Sequence, residues 1–246
     1  MLDGSFLFCA LAVMVGALIQ STGGIGFAMF AAPIVAIVRP DLVPGPMVLA
    51  GGVISLLVAA REFRNIDFRI AGFAIGGRIP GSVVAGLAIG LAPRATFAVL
   101  FALFVLAAVL LSVSGWRVRA TPLSLAAAGF GSGVMGTLTS VGAPPMGIVM
   151  QNADPPRLRA TIGAFLAAGS VVSLSVLTWA GRFGWQELRL GVALLAPIAI
   201  GFWISRPLVQ RVNARAMRYL VLAISGLSAL ILLAQNAWAG LTALAA

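Results

Sequence analysis

Two stretches of this sequence set glycine and proline inside otherwise apolar runs: GGIGFAMFAAP from Gly23 to Pro33, and TSVGAPP from Thr139 to Pro145. One such interruption in each half of a membrane-type chain is the sequence mark of a transporter's binding site. A helix restarting near Gly26 and another near Pro144 would each present free N–H groups and a partial positive charge of about half a unit, a ready site for an anion. Gly23, Gly24, Gly26 and Gly142 allow a ligand to approach the backbone, and Thr22, Thr139 and Ser140 offer hydroxyl donors. Hydrocarbon satisfies no freed N–H or C=O group, so backbone breaks at this depth are expected to line a pathway.

Arg78 is the sharpest single residue. It stands eleven positions after Asp67 in an apolar span, where a charged arginine costs roughly 3 kcal/mol on insertion scales. Two readings stay open: an anion-attracting group beside the midplane, or a side chain snorkelling to the nearer face. Ser55 and Ser173 occupy matched places in GGVIS and GSVVS and are candidates for ligand contact. Asp67 and Glu187 are also matched, and at helix starts they read as favourable N-terminal carboxylates. Gln151 and Asn152 read as a helix end.

The elements that must position these groups are membrane spans. Of 246 residues 61% are hydrophobic and 9% charged, and mean hydropathy is +1.10. Apolar runs of that extent cross a core of roughly 30 Å several times. The connections are too short for a soluble domain, so residues 1–246 read as one all-α, polytopic membrane domain. The net charge of +10 comes from scattered arginines, read as topology determinants with lipid headgroups as partners rather than as a nucleic-acid surface. Cys9 is alone and histidine is absent, which removes an intrachain disulfide and the usual metal and haem ligands. No metal or cofactor is expected. The start MLDGSFLFCA lacks the basic region of a signal peptide and reads as a retained membrane element.

Residues 5–38 as one helix would be about 50 Å long, far beyond one crossing, so the chain should break at Gly23-Gly24. An internal duplication sets GGVISLLV at 51–58 against GSVVSLSV at 169–176, and DFR at 67–69 against ELR at 187–189. Each half then holds one broken segment and three spans, repeat one at 1–118 and repeat two at 119–246. If each broken segment crosses once, the arginines divide seven against eight. If each doubles back, eleven gather on one face (Arg61 to Arg69, Arg117, Arg119, Arg157, Arg159, Arg206 to Arg218) and four remain opposite (Arg39, Arg94, Arg182, Arg189). The second division fits the positive-inside rule. The expected architecture is therefore two inverted repeats, each a re-entrant helical hairpin plus three transmembrane helices. Trp116, Trp179, Trp185 and Trp238 fall near span ends as interfacial anchors.

These residues resemble a known family, TauE/SafE sulfite exporters, also called the 4-toluene sulfonate uptake permease family. The first half, GGIGFAMFAAP through REFRNIDFR, is similar to that family's G-x-G-F opening and R-x-x-R-x-I-D loop. The second half, GVMGTLTSVGAPPMG, is similar to its G-x-x-x-G…G-G-P-P signature. The resemblance implies a plasma-membrane permease for sulfite, sulfonates or related organic anions. Ala143 stands where the family commonly has a second glycine, and Arg78 where a small or apolar residue is expected, which points to a subfamily with its own substrate.

The resulting expectation is a multi-pass secondary anion transporter of the cell membrane working by alternating access. A membrane-embedded enzyme or assembly factor of sulfur or metal metabolism is the alternative, as is an anion channel; self-association into a homo-oligomer is left open. An enzyme would need a nucleophile, base or metal set that one cysteine and no histidine hardly supply. Reporter fusions test the doubled-back topology: a fusion in the 211–215 loop should report the cytoplasm, and an external reading there rejects it.

Overall fold

A computed structural model describes residues 3–91, 94–115, 118–208 and 214–245, with the side chains of 91, 94–98, 214–218 and 236–245 outside that description. Every described regular element is helical. The helices are α1 (Gly4–Gly23), α2 (Phe27–Val38), α3 (Gly45–Arg61), α4 (Phe68–Leu91), α5 (Arg94–Val113), α6 (Pro122–Thr139), α7 (Pro144–Val149), α8 (Pro155–Trp179), α9 (Trp185–Ala193), α10 (Leu195–Ser205) and α11 (Ala214–Ala245). Among the described residues four stretches are long and apolar enough to cross a membrane: Gly4–Gly23, Phe68–Gly90, Pro155–Trp179 and Trp185–Ser205. The last is divided at Leu194, three residues before Pro197, which cannot donate the helical N–H bond to Ala193.

The first interruption is a hairpin. Gly24 caps α1 in the left-handed region at φ 80°, its N–H donating to the Gln20 carbonyl at 2.7 Å. The chain restarts at Phe27 and runs back, packing against α1 so closely that a side chain at Gly16 would press on Phe27 and Ala31. At the far end of α2, Arg39 meets Asp3 at 3.0 Å, so the segment leaves and returns to the same end of the molecule. Pro33 deprives the Met29 carbonyl of its helical partner, and Ser225 of α11 donates to that oxygen instead.

The second interruption repeats the device with different chemistry. Ser140 takes the left-handed cap at φ 65°, its N–H donating to Gly136 at 2.9 Å, and Gly142 folds back beside Gly136 and Ser132. The return helix α7 has only six residues and opens with Pro144 and Pro145.

Ion pairs and caps mark the two ends. At one end Arg159 meets Glu62 at 2.8 Å, Arg61 donates to the Ser21 carbonyl, and Arg157 pairs with Asp67. The Arg157 guanidinium beside Asp67 holds its carboxyl below the usual range, and the same carboxylate caps α4 by accepting from the Ile70 N–H at 3.0 Å. At the other end Arg39 lies with Asp3 and Asp41, and Arg182 donates to the Ile89 carbonyl at 3.2 Å. Glu187 caps α9 through the Gly184 N–H at 2.8 Å. Trp179 and Trp185 are exposed there, Trp185 under Arg189. Trp116, Arg117 and Arg211 lie outside the described residues, as do the side chains of Arg94, Arg215, Arg218 and Trp238.

Packing partners exchange between the halves: α4 packs on α6 as α10 packs on α1, while α3 pairs with α8 and α5 with α11. The α4–α6 pair runs parallel and is the most intimate. Gly77 and Gly81 of α4 face Ala126 and Phe130, and Gly129 and Gly133 of α6 face Ala74 and Arg78, each glycine against backbone. Two G-x-x-x-G seams therefore interlock, the arrangement that lets helices approach where lipid removes any hydrophobic drive for association.

Gly76 and Gly77 form a test pair, since a side chain at Gly76 meets nothing within 4 Å while one at Gly77 would enter the Ala126 backbone. Gly77→Leu should cost at least about 1–3 kcal/mol and Gly76→Leu almost nothing, read as thermal stability of the detergent-solubilised protein. Equal stabilities would show that the seam is not the tight contact.

Candidate functional site

Arg78 projects from the middle of α4, is 3% exposed and reaches neither end of the molecule. The seam draws α4 against the α6–α7 hairpin, and the guanidinium lies in a cradle made by missing side chains. A Cβ at Gly136 or Gly142 would stand 3.0 Å from its terminal nitrogens, and one at Gly169 would overlap it. One terminal nitrogen, Nη1, donates to Ser132 Oγ at 2.8 Å and the other, Nη2, to Ser173 Oγ at 3.4 Å. The Phe165 ring lies 5.1 Å from the guanidinium carbon, a cation–π contact that strengthens without water. Nε has no partner. No carboxylate approaches, since Asp3, Asp41, Glu62, Asp67 and Glu187 are engaged at the ends and Asp154 lies at the surface beside Arg157. The snorkelling alternative is therefore excluded: the side chain points inward, because the glycines and serines open a place for it there.

Beside Arg78 is a narrow chamber of about 30 Å³, walled by both interruptions and by α3, α4 and α8; its lining includes Gln20, Gly26, Ser55, Arg78, Ser140 and Gly142. That is room for about two water molecules. A second cavity of about 490 Å³ lies on the side of the Arg159 end, lined by Thr22, Gly23, Gly26, Ser112, Pro144 and Arg159 among others. Gly26 and Met29 belong to both walls. Gly26 sits at φ 135° and its neighbour on the α1 arm is Ile19, a backbone conformation that L side chains rarely adopt. At the opposite end Ser140 Oγ donates to the Pro44 carbonyl at 3.1 Å and Phe183 lies against Gly45.

The residues singled out from sequence divide as follows. Gly26, Ser55, Arg78, Ser140 and Gly142 line the chamber, and Thr22, Gly23, Gly26 and Pro144 line the wider cavity. Gly24 abuts Arg159 rather than either cavity. Thr139 is turned away, its hydroxyl donating to the Met135 carbonyl at 2.7 Å and accepting from Val141 N–H at 3.2 Å. Ser173 is off the wall as well, holding Arg78 and bonding Thr137 at 2.9 Å. Three wall or support residues had no signal: Gln20, which donates to Ser55 Oγ at 2.7 Å, Ser132, and Ser170 on the wall.

The two helix restarts are unequal. The first turn of α2 borders the chamber and carries no side-chain cap, leaving its N–H groups and partial charge available. The six residues of α7 sum to little dipole, and its two leading prolines have no N–H to offer. On that side the positive charge is Arg78 itself.

A buried cation with no acidic partner thus stands beside a small polar chamber that shares Gly26 and Met29 with a larger cavity. A family profile, Sulfite exporter TauE/SafE, matches residues 8–232, from α1 into α11. No curated protein and no solved structure matches the chain. With nearly its whole length matched, the chain belongs to the TauE/SafE sulfite exporter family of membrane transporters.

Proposed function

We propose that this chain is a secondary transporter of the plasma membrane that moves sulfite, a sulfonate or a related small organic or inorganic anion by alternating access. The observation that carries the reading is Arg78, held in the interior without a carboxylate and with Nε unpartnered beside the chamber. A positive charge in that setting is costly unless a mobile anion shares it. The moving parts are two inverted repeats, 1–118 and 119–246. In support, packing partners exchange between the halves and the first interruption returns to its starting end. The wide cavity toward Arg159 and the closed packing at Pro44 and Phe183 correspond to access from one side. In this cycle the chamber widens to take the anion, Gly26 and Met29 part, and the mouth between the Ser140 tip and α3 opens in turn. Substrate and membrane lipids are the partners this requires, with no resident cofactor.

Uptake and counterflow of radiolabelled sulfite and methanesulfonate in proteoliposomes test the proposal. Arg78→Gln removes a charge-assisted interaction worth about 1.5–3 kcal/mol and should lower anion flux about 10- to 100-fold with the membrane-inserted protein retained. Gly169→Val, which fills the cradle, should displace the guanidinium and lower flux in the same direction. Unchanged anion flux in Arg78→Gln, or saturable transport of neutral solutes with anions ignored, overturns the proposal.

A further inference from the structure

We infer that the chamber selects its substrate by charge state, accepting monoanions and rejecting dianions. This rests on the anion-transport reading above. Among the described residues Arg78 is the one ionised group on the chamber wall. Ser132, Ser173 and the Phe165 face are neutral partners, which satisfy donors and solvate the cation without cancelling its charge. Of the five guanidinium N–H groups two reach Ser132 and Ser173, which leaves the unpartnered Nε–H and one N–H on each terminal nitrogen as donors for a ligand.

Attraction to this cation rises in proportion to the ligand's charge, whereas the cost of stripping its water rises with the square of that charge. A monoanion brings the pair to neutrality. A dianion gains twice the attraction, loses about four times the hydration, and leaves one uncompensated charge of the opposite sign. The α2 N-terminus adds about half a positive unit. That makes the residual charge equal in size for the two ligands and leaves dehydration to decide, again against the dianion. Hydrogen sulfite and alkyl sulfonates are monoanions of the right kind; sulfite proper, sulfate and thiosulfate are dianions.

The protein contributes no titration of its own near Arg78. Residues 122–139 of α6, the 140–143 turn, α7 and residues 160–179 of α8 carry no ionisable side chain, and α3 carries only Arg61 at its far end. On α4 itself Arg69 lies more than two turns away, and α1 and α2 bring only Cys9, outside the chamber lining. A pH profile across neutrality therefore reports the substrate's protonation.

The test is initial uptake into proteoliposomes of fixed internal pH as external pH moves from mildly acidic to mildly alkaline. Methanesulfonate, whose charge does not change, should be carried at a level rate. Sulfite at fixed total concentration should slow in step with the falling fraction of hydrogen sulfite. Sulfate should compete with methanesulfonate at least about tenfold more weakly than unlabelled methanesulfonate does. A sulfite rate that holds or rises with pH while methanesulfonate stays level overturns the inference, as does sulfate competing on equal terms. Arg78→Gln separates the two layers: if it abolishes flux while dianions are carried as well as monoanions, only the charge rule falls. If it leaves flux intact, or if no anion is carried, the transport reading falls and the charge rule with it.

Discussion

A guanidinium inside an apolar bundle organises this protein. Bulk water does not surround Arg78 in the middle of α4, and the fold supplies in its place two hydroxyls, an aromatic face and space. The space comes from glycines on three different segments, Gly136, Gly142 and Gly169, and these meet only because the α4–α6 seam is tight and the second hairpin turns at Ser140. Helix association in lipid depends on such close contact, so the seam that holds the bundle together is also what fixes the cation's position.

Positions matched in sequence between the two halves stand in different surroundings. Ser55 and Ser173 are matched in sequence, yet one faces the chamber and accepts from Gln20 while the other faces Arg78. One hairpin returns as a twelve-residue helix with open N–H groups, the other as six residues led by prolines. Arg78 has the buried aliphatic Ile198 at the corresponding place in the second half, counted by the offset between Asp67 and Glu187 to within two residues. The cation thus stands on the side of the chamber where the backbone cannot provide positive charge, and an anion placed between them meets a helix end on one flank and a guanidinium on the other.

Much of this was legible in the residues. The breaks were readable because glycine and proline inside an apolar run have few other uses, and Arg78 because a charge there has no cheap place. Asp67 and Glu187 are caps, as the plain electrostatic reading has it. What sequence did not reveal was direction. Thr139 and Ser140 are neighbours, and only the left-handed turn at Ser140 sends one hydroxyl back to its own helix and the other toward Pro44. Gln20 and Ser132 were invisible because a single polar side chain in a membrane helix most often bonds its own backbone, and only the tertiary partners distinguish them. Trp185–Ser205 is apolar throughout, yet its helix is divided at Leu194, just before Pro197.

The substitution of Ser225 for the amide that Pro33 lacks ties α2 to α11 by a hydrogen bond in a medium with no competing donor. Sliding one past the other would leave the Met29 carbonyl without that partner. The inward arm of the hairpin, α1, is fastened elsewhere, with Gly201 of α10 against the Met14 backbone. The two arms of the hairpin are thus carried on separate handles, like the blades of a pair of tongs, α1 on α10 and α2 on α11, with the Gly24 to Gly26 turn joining them.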